Sequence, residues 1–169
     1  VRDVTIRIII TGGTFDKEYD ELSGELTFKH THLPRILDTV RCTVPVKVEI
    51  NQLVDSLDMR RSNRKRILES CEKAGEDRVI ITHGTDTMLE TASLIGKRGL
   101  EKTIVLTGAM IPFAVKDSDA VFNLGCSITA VQLLPRGVYI VMNGRVFHWD
   151  NAVKNRKRGV FEAGDGSVA

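Results

Sequence analysis

The sequence predicts an α/β domain: a mainly parallel sheet with helices on both faces, in three layers. Three observations carry this. Short β-branched runs alternate with segments of helical period, several runs are too apolar to leave a solvent face, and three of them stop at a polar turn containing glycine.

In chain order, the first strand covers residues 4–10 and stops at Thr11-Gly12-Gly13-Thr14. The loop over 15–32 fits neither period, is polar, and is long enough to act as a lid. A short helix over 33–40 accommodates Pro34 in its first turn, and a strand over 46–50 ends at Asn51 and Gln52. The helix over 62–74 puts Ile67, Leu68 and Cys71 on one face and stops at Gly75. A strand over 79–82 runs into His83-Gly84-Thr85-Asp86, followed by a helix over 86–97 with Met88, Leu89, Ala92 and Ile95 as its apolar stripe. Another strand, 103–106, ends at Thr107-Gly108-Ala109-Met110, and an apolar helix over 119–134 stops before Pro135. The last strand, 138–142, turns back through Asn143-Gly144, a type I′ hairpin signal, into a return strand over 145–148.

With 169 residues, no internal repeat and no linker, residues 1–169 are expected to form one domain. A net charge of +2 is too small to argue for nucleic acid. Cys42, Cys71 and Cys126 are widely spaced and odd in number, which suits reduced thiols rather than a disulfide framework. The N-terminal residues lead straight into a strand without a signal-peptide core, and no apolar run is long enough to span a bilayer. A cytoplasmic protein is the expectation.

Ligands of open α/β sheets bind beyond the carboxyl ends of the strands, where the three glycine turns would converge. Glycine there lets backbone N–H groups approach a ligand, and the neighbouring hydroxyls and carboxylate add polar groups. Taken alone, Thr11 to Thr14 reads either as a tight connection or as a catalytic turn; it lacks the phosphate-loop ending and the dinucleotide glycine spacing. Thr85 or Asp86 would cap the following helix, with or without binding a ligand. Lys154 reads as a solvated lysine or as a buried one assisting proton transfer from a hydroxyl. His30, His32, His83 and His148 show no metal-site spacing. Two basic runs, 60–66 and 154–158, read as solvated faces or as anion or nucleic-acid contacts.

Five segments in register resemble the asparaginase/glutaminase family: Thr11-Gly12-Gly13-Thr14; Thr82-His83-Gly84-Thr85-Asp86-Thr87; Gly108-Ala109-Met110-Ile111-Pro112; Asp119 with Phe122-Asn123-Leu124; and Val141-Met142-Asn143-Gly144. The resemblance implies the Rossmann-like or flavodoxin-like N-terminal domain of those enzymes and hydrolysis of L-asparagine to L-aspartate and ammonia, with L-glutamine a poorer substrate. Thr14 would be the nucleophile that carries the acyl group, and Thr85 would orient the water. Asp86 would bind the substrate ammonium, Lys154 would pair with Thr85, and Ser56 would meet the substrate carboxylate. Tyr19 would be the lid tyrosine. Gly13, Leu57, Gly84 and Ala109 would line the substrate, and backbone donors near Gly84, Thr85 and Gly108-Ala109 would stabilise developing charge. No cofactor and no metal are implied.

Two departures from the family pattern stand out. Leu57 replaces the usual glutamine after the substrate serine, and the two-domain members extend well beyond Phe161 to Gly166. The match is therefore to the short, single-domain enzymes, and a homodimer or higher homo-oligomer is expected to cover the crevice. The alternatives are an amino-acid sensor without turnover and the ammonia-releasing subunit of a transfer-RNA-dependent amidotransferase, for which the basic runs are the motive.

Overall fold

A computed structural model of the chain describes residues 4–164; the expectations for residues 1–3 and 165–169 lie outside the described residues. The elements are β1 (Ile6–Ile10), a 3-10 turn (Thr14–Asp16), β2 (Glu18–Asp20), β3 (Glu25–Thr27), α1 (Leu33–Thr39), β4 (Val46–Ile50), α2 (Arg61–Lys73), β5 (Arg78–Thr82), α3 (Met88–Arg98), β6 (Thr103–Thr107), α4 (Ala120–Leu133), β7 (Gly137–Met142), β8 (Arg145–His148), β9 (Val153–Asn155) and β10 (Val160–Glu162).

The main sheet runs β4-β1-β5-β6-β7-β8, parallel except for the β7–β8 hairpin at one edge. Counting only the parallel strands in chain order gives 2-1-3-4-5, the flavodoxin-like arrangement, with its topological switch point between β1 and β5. Alternation along the strands builds both faces. Ile9, Val79, Ile81, Ile104, Leu106 and Ile140 point toward α2 and α3, where Ile67, Cys71, Met88, Ala92 and Ile95 cover them. Ile6, Ile8, Ile10, Ile80, Val105 and Val141 point the other way, against Leu33 and Ile36 of α1 and Ala120, Leu124 and Val131 of α4. The expected three-layer α/β architecture is what forms. The β7–β8 turn carries positive φ at both Asn143 and Gly144, as a type I′ turn requires.

Three local expectations change. The 15–32 loop holds its own small hairpin, with Glu18 opposite Thr27 and Tyr19 opposite Leu26. Strands of three residues, each with a single apolar side chain (Tyr19 and Leu26), are too short for their alternation to be read. A second ribbon, β9–β10, follows the main sheet and places Lys154 opposite Phe161. Finally, neither Thr85 nor Asp86 caps α3; the cap position is Thr87, whose hydroxyl donates instead to the Ser56 carbonyl at 2.7 Å. Thr85 and Asp86 therefore sit in the turn before the helix, free for other contacts.

Candidate active site

The carboxyl ends of β1 and β5 meet at the switch point, and glycines let the turns beyond them touch. A Cβ built on Gly13 would fall 2.3 Å from the Gly84 nitrogen and 2.4 Å from its Cα, and Gly13 has φ near +82°. Only glycine meets both demands. A Cβ on Gly84 would in turn fall 2.5 Å from Ser56 Oγ. Thr14, Thr85 and Ser56 thus lie beside or within three turns packed backbone against backbone.

Polar contacts fix these turns. The Gly13 N–H donates to the Val54 carbonyl at 3.2 Å. The Lys17 ammonium pairs with Asp55, joining the Thr14 turn to the Ser56 turn. Asp55 also accepts from the Leu57 N–H at 2.9 Å. Burial raises the Asp55 carboxyl, but Lys17 and the Leu57 N–H outweigh it and hold the group below its ordinary value.

On the β5 side, the fully buried His83 ring spans the Gly84 carbonyl and the Thr91 hydroxyl, each at 2.8 Å. A carbonyl only accepts, so Nδ1 carries the proton and Nε2 receives the Thr91 hydroxyl. Burial lowers the imidazole to about 4, so it is neutral near pH 7. The Gly84 carbonyl is therefore fixed toward the ring, and the Thr85 N–H of the same peptide faces away from it.

The β9–β10 ribbon completes the cluster. The Lys154 side chain, 11% exposed, donates to Thr85 Oγ1 at 2.8 Å and to Asp86 Oδ1 at 2.9 Å. Arg156 reaches the same Asp86 oxygen at 2.9 Å. The lysine is not solvated, and the second basic run is largely engaged within the chain, because Arg158 pairs with Glu162. The first run is partly engaged too, since Arg64 donates to the Met59 carbonyl and pairs with Glu90.

Asn123 and Asn143 hold the ribbon in place, a role that their motifs do not disclose. Asn123 donates to the Gly108 carbonyl at 3.0 Å and accepts from the Asn143 N–H at 3.1 Å. Asn143 Oδ1 then accepts from the Phe161 N–H at 2.9 Å, and Phe161 is the strand partner of Lys154. Asp119 receives the N–H groups of Met110 and Ile111, shaping the turn beyond Ala109.

The structure thus brings Gly13, Ser56, Gly84, Thr85, Asp86 and Lys154 together, with Thr14 half-buried at the start of the 3-10 turn. Ala109 is buried beyond β6, and Leu57 is exposed beside Ser56. Tyr19 stands on β2, 63% exposed, with its side chain turned to solvent. Two of the four histidines, which show no metal spacing in sequence, converge in space: donor atoms of Glu18, His30 and His32 lie within 4.8 Å of one another. A cavity of about 770 Å³ opens at the opposite end of the sheet, between Thr5, Lys47, Glu76, Arg78 and Arg136. It holds no hydroxyl cluster, and Glu76 is tied up by Arg7 and Lys47 there, so the switch-point crevice is the better candidate.

Fold and site together define an open α/β domain with paired threonine turns at its switch point. The chain belongs to the asparaginase family: the family model "Asparaginase, N-terminal" matches residues 5–163. Among curated relatives, a glutamyl-tRNA(Gln) amidotransferase subunit of Pyrococcus abyssi is 32% identical over 146 residues, covering 82% of this chain and 33% of the relative. The corresponding subunit of Aeropyrum pernix is 30% identical over 148 residues, covering 82% and 35%. Among solved structures, a probable cytoplasmic L-asparaginase from Campylobacter jejuni superposes with a TM-score of 0.82 at 27% identity, over 95% of this chain and 53% of that one. The chain spans about a third of the length of those curated relatives.

Proposed function

We propose that the chain is an amidohydrolase that converts L-asparagine to L-aspartate and ammonia through an acyl intermediate on Thr14. The observation that carries this reading is the Lys154–Thr85–Asp86 cluster against the Gly13–Gly84 contact. A threonine hydroxyl is a poor nucleophile until its proton is taken up as it attacks. In the first half-reaction Thr14 Oγ bonds to the amide carbon, its proton passes to the leaving nitrogen, and ammonia departs. In the second, water oriented by Thr85 and Lys154 adds to the ester, releasing aspartate and restoring the Thr14 hydroxyl. The Thr85 N–H, directed by the clamped Gly84 carbonyl, is the proposed donor to the developing oxyanion. Asp86 binds the substrate ammonium through the oxygen that Lys154 and Arg156 do not occupy, and Ser56 meets the carboxylate. Tyr19 reaches Thr14 only if the β2–β3 hairpin folds over the crevice.

The reading extends to a cytoplasmic protein acting as one domain and as a homo-oligomer. Among the described residues no helix is long and apolar enough to cross a membrane, and the exposed apolar side chains include Phe122, Leu133 and Val146.

A second reading is favoured by the curated relatives, which are subunits of a glutamyl-tRNA(Gln) amidotransferase. In it the same threonine chemistry releases ammonia for use by a partner. One assay separates the two: ammonia release from asparagine and from glutamine, by the wild type and by Thr14→Ala. Free turnover of asparagine that disappears in Thr14→Ala supports the hydrolase. Turnover only with a partner and transfer RNA supports the amidotransferase reading, and aspartate binding with no release under either condition leaves a sensor.

A further inference from the structure

We propose that Glu18, His30 and His32 form a zinc site that clips the β2–β3 hairpin to the start of α1. Glu18 opens β2, and the two histidines follow β3 directly, so folding the hairpin brings one carboxylate between two imidazoles. His30 Nδ1 lies 3.8 Å from Glu18 Oε1, and His32 Nε2 lies 3.6 Å from Glu18 Oε2. Both separations are too long for hydrogen bonds. They suit donors around one ion, because tetrahedral zinc with bonds of about 2.0–2.2 Å holds neighbouring ligand atoms roughly 3.4 Å apart.

The independent observation is His32. Its side chain is only 6% exposed, yet its Nε2 is buried without a hydrogen-bond partner and faces Glu18. A buried ring nitrogen left without a partner costs stability. A divalent ion satisfies all three side chains with one positive centre. Two imidazoles and a carboxylate favour zinc over calcium or magnesium, which take oxygen. His30 is 64% exposed, so the fourth position opens to water.

The backbone around His32 is held in advance. Asp16 Oδ1 accepts from the Thr31 hydroxyl at 2.9 Å and from the His32 N–H at 3.0 Å. Asp16 ends the 3-10 turn that Thr14 begins, so an ion bound here would fasten the hairpin bearing Tyr19 beside the Thr14 turn.

The test is calorimetric titration of chelator-stripped protein with zinc chloride, with cobalt(II) spectra as a check on the ligands. One zinc per chain is expected, and Glu18→Gln and His30→Ala should each weaken it by at least about tenfold. His30 is exposed, so its loss leaves the metal-free fold intact, which a matching thermal transition confirms. His148→Ala, distant in sequence and beside Asp150 instead, should keep full affinity. Cobalt should give weak visible bands without a thiolate charge-transfer band. No saturable zinc uptake, unchanged affinity in both ligand variants, or a thiolate band from the cysteines would each overturn the proposal.

Discussion

Lys154 donates to the Thr85 hydroxyl across 2.8 Å, although 69 positions separate the two in sequence. The same ammonium holds Asp86, so one cation sets the positions of two adjacent polar side chains at the end of β5. Because Thr85 Oγ1 accepts this bond, its own proton remains available to a ligand in the crevice.

Replacing Lys154 should separate chemistry from fold. Lys154→Met keeps the length of the stem, and Asp86 retains Arg156. The expected loss is about 10²- to 10⁴-fold in kcat for ammonia release, with the unfolding transition little changed. An unaltered kcat would remove the lysine from the proposed mechanism.

The Gly13–Gly84 contact makes a second prediction, with a built-in control. Gly13→Ala places a methyl group against the Gly84 backbone at positive φ, and should cost about 3 kcal/mol or more together with activity. Gly24 also has positive φ, but open space surrounds it, so Gly24→Ala should cost only about 1 kcal/mol. Denaturant unfolding of the two variants measures the difference. Equal costs would mean that backbone strain, and not contact between the turns, decides the outcome.

His83 gives the protein a defined weakness in acid. Burial lowers its pKa from 6.5 to about 4. Between those values the unfolded chain takes up a proton that the folded chain refuses. Its contribution is therefore complete above about pH 6.5 and is lost as pH falls toward 4, amounting to roughly 3 kcal/mol at most. Stability measured from pH 7 to pH 4 should fall more steeply for the wild type than for His83→Gln. Parallel curves would show that other groups govern the acid limb.

The elements legible in the sequence are those whose pattern follows from burial. Ile6–Ile10 and Thr103–Thr107 are largely covered on both faces, so their mostly apolar runs, interrupted only by Arg7 and bounded by Thr103 and Thr107, announce central strands. The β2–β3 and β9–β10 ribbons are three residues long per strand, and their pairing depends on the partner rather than on any periodicity. Thr85 and Asp86 carry cap-forming chemistry, yet long-range contacts with Lys154 and Ser56–Thr87 redirect the turn. Thr14, Ser56, Thr85 and Asp86 could be singled out from strand-end position and family resemblance. The Lys17–Asp55 and Arg156–Asp86 pairs, and the convergence of Glu18 with His30 and His32, exist only once the chain is folded.

The β9–β10 ribbon stands outside the six-stranded sheet and is joined to it through the Asn143–Phe161 hydrogen bond and the buried Phe161 ring. Units attached in this way open at lower free energy than the sheet they lean on. During refolding the sheet can be complete while Lys154 is still undocked from Thr85. Recovery of the site would then trail recovery of the core, and the ribbon's amides would exchange with solvent ahead of those in β1 and β5.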